Sequence, residues 1–262
     1  MAKRLSFLKF ILLLSFVGIF LTGCKSSSVS TLKTFTVNGV TFSMVKVKGG
    51  SFEMGALVGS SIAEDDEYPV HNVALDDFYI GETEVTRELW SAVMGSDPSG
   101  MQGTKQAPVE SVNWNDCNNF LNKLNELTGV KFTLPTEAQW EYAARGGKKS
   151  KGYLYSGSNN IDDVAWHSGN ANNNVNDVKK KAPNELGIYD MSGNVSEWCS
   201  DWYGEYAADD VCNPAGASSG HSKVVRGGCW INEESICRVT DRTLGAPRGS
   251  GCILGLRLCL TK

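Results

Sequence analysis

The sequence predicts one α+β domain with much irregular backbone over residues 35–262. Three observations carry this. An Asn-Gly dipeptide separates two alternating apolar runs near the start of the domain. Amphipathic stretches with capping residues follow in the middle. From residue 148 onward the chain turns to long Asn-, Gly- and Ser-rich loops with only brief apolar runs. Hydrophobic residues make up 41% and charged residues 21%, which excludes wholesale disorder. A net charge of −4 without a long basic run leaves no expected nucleic-acid partner.

Asn38-Gly39 lies between Phe35-Thr36-Val37 and Val40-Thr41-Phe42, a two-residue hairpin signal. Strand-like material continues over 44–54 around Gly49-Gly50. Thr86 is placed to cap a helix ending near Met94-Gly95. Asn113 or Asn115 starts a helix over 114–127, whose apolar stripe includes Cys117, Phe120, Leu121 and Leu124, and Gly129 follows its end. Thr136 and Gln139 form a capping box for a third helix that stops at Gly146-Gly147. Ile188-Tyr189 and Val224-Val225 are the apolar runs of the loop-rich half. Trp90, Trp114, Trp140, Trp198, Trp202 and Trp230 are expected to pack the core and loops.

Ahead of the domain, Lys3, Arg4 and Lys9 flank an apolar stretch over residues 10–21 that runs into Leu21-Thr22-Gly23-Cys24. The stretch is too short for a membrane span, and its flanks suit a cleaved signal. It resembles a bacterial lipoprotein signal, which implies removal of residues 1–23, acylation of Cys24 and a tether over 24–34. Cleavage would remove three positive charges and leave about −7. The implied location is the bacterial cell envelope outside the cytoplasm, with the membrane as partner through acylated Cys24. Lys25-Ser26-Ser27-Ser28 has no acidic residue, which points to the periplasmic side rather than the cell surface.

Seven further cysteines stand at 117, 199, 212, 229, 237, 252 and 259. Disulfides are permitted in that compartment, but an odd number leaves at least one thiol unpaired in a monomer. No C-x-x-C is present, so zinc ribbons and thioredoxin-type motifs are excluded. His71, His167 and His221 are scattered, and no G-x-S-x-G elbow occurs. The acidic run Glu64-Asp65-Asp66-Glu67 reads as a solvated loop.

Two stretches could carry chemistry. Asp190-Met191-Ser192-Gly193-Asn194-Val195-Ser196-Glu197 offers two carboxylates around a Gly-Asn turn. The side chains of Asp190 and Glu197 with the carbonyls of Gly193 and Val195 would make part of a calcium cage, since calcium takes six to eight oxygens. Spacing alone equally suits a turn whose acids cap backbone N–H groups or pair with an arginine. The second stretch holds Cys229 and Cys237, eight apart, as a soft-metal pair, a disulfide or two buried thiols.

Seven segments in register resemble the formylglycine-generating enzyme (sulfatase-modifying factor) family: residues 49–55, 78–86, 112–116, 134–147, 183–198, 226–228 and 255–257. The resemblance implies a fold related to C-type lectins, low in regular secondary structure and stabilised by calcium. It places one of the family's calcium sites on Asp190, Gly193, Val195 and Glu197, and leaves another open in the loop over 170–181. Active members hold Cu(I) between two cysteines, where oxygen meets the substrate cysteine of a sulfatase. Cys237 matches the second of that pair, but Asn232 stands at the first. Cys229 replaces a serine beside the centre, and Ser196 replaces a tryptophan. An amide cannot stand in for a soft sulfur on two-coordinate Cu(I). Calcium is therefore expected and copper is not. The expected role is a membrane-anchored, non-catalytic domain that binds an envelope protein or glycan. The alternative is a copper- and oxygen-dependent oxidase that converts a sulfatase cysteine to formylglycine through Cys237 and Cys229. An iron oxidase of the same fold would need a histidine-bearing helical domain for which this chain has neither the length nor the histidines.

Overall fold

The computed structural model describes residues 32–261. The expected signal segment and Cys24 lie outside the described residues. Three small sheets and a few short helices enclose four clusters of buried apolar residues, an α+β arrangement. The first strand, β1 (Leu32–Val37), pairs antiparallel with β2 (Val40–Val47). Asn38 and Gly39 turn between them with φ of 47° and 82°, the left-handed pair that a two-residue hairpin requires. The expected tether is thus too long by three residues, because residues 32–34 already pair with residues 43–45.

The sheet that begins with this hairpin has the order β1-β2-β5-β11, where β5 is Phe78–Gly81 and β11 is Cys259–Thr261. A second sheet holds β3 (Gly50–Met54), β4 (His71–Leu75) and β7 (Val211–Cys212). The third carries most of the chemistry. It runs β10 (Leu254–Gly255), β6 (Ser196–Trp202), β8 (Lys223–Arg226), β9 (Thr243–Gly245). Strand β6 is central there, yet its sequence, Ser-Glu-Trp-Cys-Ser-Asp-Trp, reads as the end of a polar turn; placed between β10 and β8, five of its seven residues are buried, and that burial overrides the pattern.

The helices start and stop where their caps predict. α1 (Arg87–Met94) begins at Thr86, whose hydroxyl accepts from the Leu89 N–H, and ends at Gly95 in the left-handed region. α2 (Trp114–Thr128) has a reciprocal capping box between Asn113 and Asp116 and closes at Gly129. α3 (Glu137–Ala144) has the Thr136–Gln139 box, and every one of its residues is buried. A one-turn α4 (Ile161–Val164) was not legible from its four residues.

α1 and α2 pack through Trp90 and Phe120, whose rings stack at 4.8 Å, with Leu89, Leu121, Leu124 and Phe132 around them. Of the six tryptophans expected inside, Trp90, Trp140, Trp198 and Trp230 are buried. Trp114 and Trp202 instead hold the Lys223 ammonium between them, at 4.1 and 3.8 Å from their ring centres. Cys117 is fully buried on the α2 stripe, as its position predicts. Among the described residues no helix is long and apolar enough to cross a membrane.

Candidate functional site

Two loops meet at the upper end of β6 and β8. One precedes β6 and is the acidic stretch. Asp190, Gly193 and Asn194 take φ of 58°, 77° and 60°, so the backbone curls tightly. Gly193 is required here, because a Cβ would lie 2.2 Å from the Trp166 carbonyl oxygen. The other loop follows β8 through Gly227 and Gly228. A Cβ on Gly228 would lie 2.8 Å from Cys237 Sγ, so this glycine makes the space the thiol fills. The loops are tied together: Gly193 N–H donates to the Gly227 carbonyl at 2.8 Å, Trp230 N–H to the Asn194 carbonyl at 2.9 Å, and Ser192 Oγ to the Cys237 carbonyl at 2.7 Å.

Glu197, expected as a calcium ligand, has a different principal partner. Arg257 donates from Nε to both carboxylate oxygens at 3.0 Å and from Nη2 to Oε1 at 2.7 Å, while Trp140 Nε1 donates to Oε2 at 2.7 Å. Its lone pairs are taken by cationic and indole donors, so it serves as the buried counterion of Arg257. Asp190 is different. Its Oδ2 accepts from the Lys179 N–H at 2.9 Å, whereas Oδ1 is buried with no partner. Burial pushes its carboxyl up to about 6. Glu84, which sequence reasoning passed over, joins the cluster: Oε1 and Oε2 accept from Val195 N–H at 3.3 Å and Asn194 Nδ2 at 3.1 Å. Burial raises its pKa well above normal, and the charges of Asp190 and Glu197 add to that rise.

Three buried carboxylates therefore face one guanidinium. This charge excess and the orphaned Asp190 Oδ1 fit a hard divalent cation. Among the described residues no three His, Cys, Asp or Glu side chains converge as a ligand group, so such an ion would depend on backbone oxygens.

The thiol centre is more closed. Cys237 ends a 3₁₀ turn (Glu234–Cys237), and both Cys237 and Cys229 are 0% exposed, which shuts them off from a substrate in solution. Asn232 Oδ1 accepts from Cys229 Sγ at 2.8 Å and from the Cys229 N–H at 2.9 Å. Burial pushes the Cys229 thiol up, against hydrogen bonds at Ile231, Ser196 and Asn232 that hold it down. Burial also drives the Cys237 thiol well above its ordinary value, reinforced by the charges of Cys229, Asp241 and Glu234. All seven cysteines among the described residues are free thiols. The donor set does not fit Cu(I): one sulfur position carries an amide, and the neighbouring sulfur is bound to that amide as a protonated donor.

Beside this centre lies a second group of buried charges. Arg226, from the Arg-Gly-Gly segment, pairs with Glu141 and with the carbonyls of Val239, Thr240 and Asp241. Arg238 binds Glu67 at 2.7 Å. This corrects the reading of residues 64–67 as solvated at one position: Glu64 and Asp65 are exposed, but Glu67 is fully buried as the counterion of Arg238.

Residues 29–262 match the family model described as a sulfatase-modifying factor enzyme 1-like domain. The chain belongs to this family. Its fold is the formylglycine-generating-enzyme fold, related to C-type lectins. Over 294 aligned residues it is 33% identical to a chaperone protein LppX of Paenibacillus barcinonensis, covering 93% of this chain and 98% of that protein. It is 30% identical to a formylglycine-generating enzyme of Streptomyces coelicolor, over 81% of this chain and 87% of that one. Among solved structures, variable protein 1 of Treponema denticola superposes with a TM-score of 0.80 at 32% identity, covering 88% of this chain and 99% of that chain.

Proposed function

We propose that this sulfatase-modifying-factor domain is a lipid-anchored, non-catalytic member of its family, working as a scaffold or ligand-binding module in the bacterial cell envelope. The observation that carries the reading is the side chain at 232. An amide accepts the Cys229 Sγ–H where the family reaction needs a second thiolate beside Cys237. A relative named as a chaperone protein agrees with a binding role. Acylated Cys24 would hold the domain at the membrane, and the acid-free residues after it favour the periplasmic side. Calcium would be held by Asp190 Oδ1 with the carbonyls of Gly193 and Val195, next to the charges of Glu84 and Glu197. Bound there, it would supply positive charge to the β6 loop and stiffen it.

The test is an anaerobic Cu(I) competition titration of wild type, Cys237→Ser and Asn232→Cys, with conversion of a sulfatase peptide assayed alongside. Wild type is expected to show no stoichiometric Cu(I), and Asn232→Cys to gain it. Equimolar Cu(I) in wild type that is lost in Cys237→Ser would establish the oxidase reading through Cys229 and Cys237.

A further inference from the structure

A cavity of about 290 Å³ opens between the start of α3, the end of β6 and the loop over 204–217, apart from the thiol centre. Met54, Ala138, Val211 and the rings of Trp202 and Tyr206 give it an apolar body. Its polar groups decide what fits. Arg242 is fully engaged: Nε and Nη2 bind Glu137 at 2.7 and 2.9 Å, Nη2 also reaches the Gly204 carbonyl at 3.1 Å, and Nη1 binds the Asp66 carbonyl at 2.8 Å. Its guanidinium also lies 3.8 Å from the Tyr206 ring centre. Glu137 is neutralised by that pair and accepts from Tyr206 Oη at 3.1 Å. Neither is left to bind an anion or a cation, and His71, also on the lining, has Nδ1 on the Pro69 carbonyl at 3.1 Å and its ring 4.8 Å from that of Tyr206.

Asp201 is left. It is 3% exposed, and its Oδ2 accepts from the Glu137 N–H at 3.1 Å and Ser200 Oγ at 2.8 Å. Its Oδ1 takes part in neither of these bonds and packs beside Gly216, which also lines the cavity and where a Cβ would come within 2.9 Å of it. Burial, with the nearby charge of Glu137, pushes the carboxyl up to about 6, against the hydrogen bonds from Ser200 and Glu137 and the charge of Lys223, which hold it down. Glu205, exposed on the lining, adds a second negative charge. A neutral apolar guest would strip water from Asp201 Oδ1 and return nothing; a cation would satisfy it.

We propose that this cavity binds a primary alkylammonium group, its –NH₃⁺ on Asp201 Oδ1 and its methylene arm against Met54, Ala138 and Val211. A lysine side chain of an envelope protein and a free alkyl diamine share that chemistry. The site is independent of whether the Cys237 centre is catalytic.

The experiment is calorimetric titration of the folded mature protein with cadaverine, with Nα-acetyl-lysine amide, and with glutarate as the anionic control. Saturable one-to-one binding of at least one ammonium probe, and none of glutarate, is expected. A preference for acetyl-lysine amide assigns a protein lysine, and a preference for cadaverine assigns a free diamine. Asp201→Asn keeps an oxygen for the Glu137 N–H but turns an NH₂ group to the cavity, and should weaken binding at least tenfold. Ala207→Trp, a substitution at an exposed position on the lining, should block the cavity without touching Asp201, and keeps the test decisive if the first variant folds poorly. Absence of saturable binding by either cation, or binding undiminished in both variants, would overturn the proposal.

Discussion

Replacing Glu197 by Gln separates the two roles that sequence and structure assign to this side chain. The carboxylate is fully buried and takes three contacts from Arg257 and one from Trp140. Gln retains an acceptor for one donor, but its NH₂ group must oppose a guanidinium that is itself 0% exposed. Breaking a buried ion pair by removing one partner costs roughly 3–5 kcal/mol. Here Arg257 keeps the charges of Glu84 and Asp190 close by, so the loss belongs at the lower end, about 3 kcal/mol. For a domain of this size that is a fall in Tm of roughly 6–12 °C. Arg257→Met should do more damage, since it leaves three buried carboxylates without a cation. Its deficit should shrink in millimolar calcium, which can replace part of the lost charge. The assay is urea and thermal unfolding with calcium and with chelator. A Glu197→Gln variant within 1 kcal/mol of wild type in chelator would refute the counterion role. A deficit seen only in calcium would return Glu197 to the ligand set.

Three further outcomes follow from the same geometry. Asp201 sits near 6 in the folded chain against an ordinary value of 3.8, so between these the native state binds more protons than the unfolded one and stability falls as pH rises. The deficit reaches about 3 kcal/mol above pH 6, and Asp201→Asn should abolish it; urea unfolding at pH 4.5 and 7 that shows a constant difference between the two proteins would contradict this. Gly193→Ala combines a φ of 77° with a 2.2 Å approach to the Trp166 carbonyl, whereas Gly39→Ala has a φ of 82° and open space. The second should cost about 1–2 kcal/mol and the first clearly more, read as thermal midpoints or loss of folded yield.

What the sequence discloses about this fold follows the range of the forces involved. Caps, turns and the α2 stripe depend on residues a few positions apart, and Thr86, Asn113, Thr136 and Asn38-Gly39 each do in the structure what their spacing predicts. The turn at Gly193-Asn194 was legible too, because a Gly-Asn pair is a local signal for positive φ. For Glu197 the spacing left a calcium cage and an arginine partner both open, because the arginine it meets, Arg257, lies 60 positions away; Glu84 and Glu67 were missed for the same reason, their partners being 110 and 171 positions distant. Strand β6 was hidden likewise: its burial comes from β8 and β10, not from its own pattern. The cavity at Asp201 has no sequence signature, since it is assembled from α3, β6 and a loop.

The placement of these long-range pairs keeps the buried charges of the family frame separate from the thiol centre that the proposed function treats as non-catalytic. Arg257 is held by Glu197 and the carbonyls of Gly81 and Tyr189, and Arg226 by Glu141 and three carbonyls after β8. None of these partners is a cysteine, and none is Asn232. Cys237 contributes its backbone carbonyl to Ser192, a bond any residue at 237 could make, and its thiol packs with Tyr155, Ile161 and Val164 rather than with the buried charges. Replacing a thiolate at 232 therefore removes nothing on which the buried charges depend, and the amide gains two hydrogen bonds from Cys229 in exchange. Substitution at the thiol centre should accordingly cost only its local packing, which for the buried Cys237 is that of a small apolar group, while substitution at Arg226 or Arg257 should cost a buried ion pair. If Cys237→Ser lowered the midpoint as far as Glu197→Gln does, the thiol centre would be part of the frame and this separation of function from stability would fail.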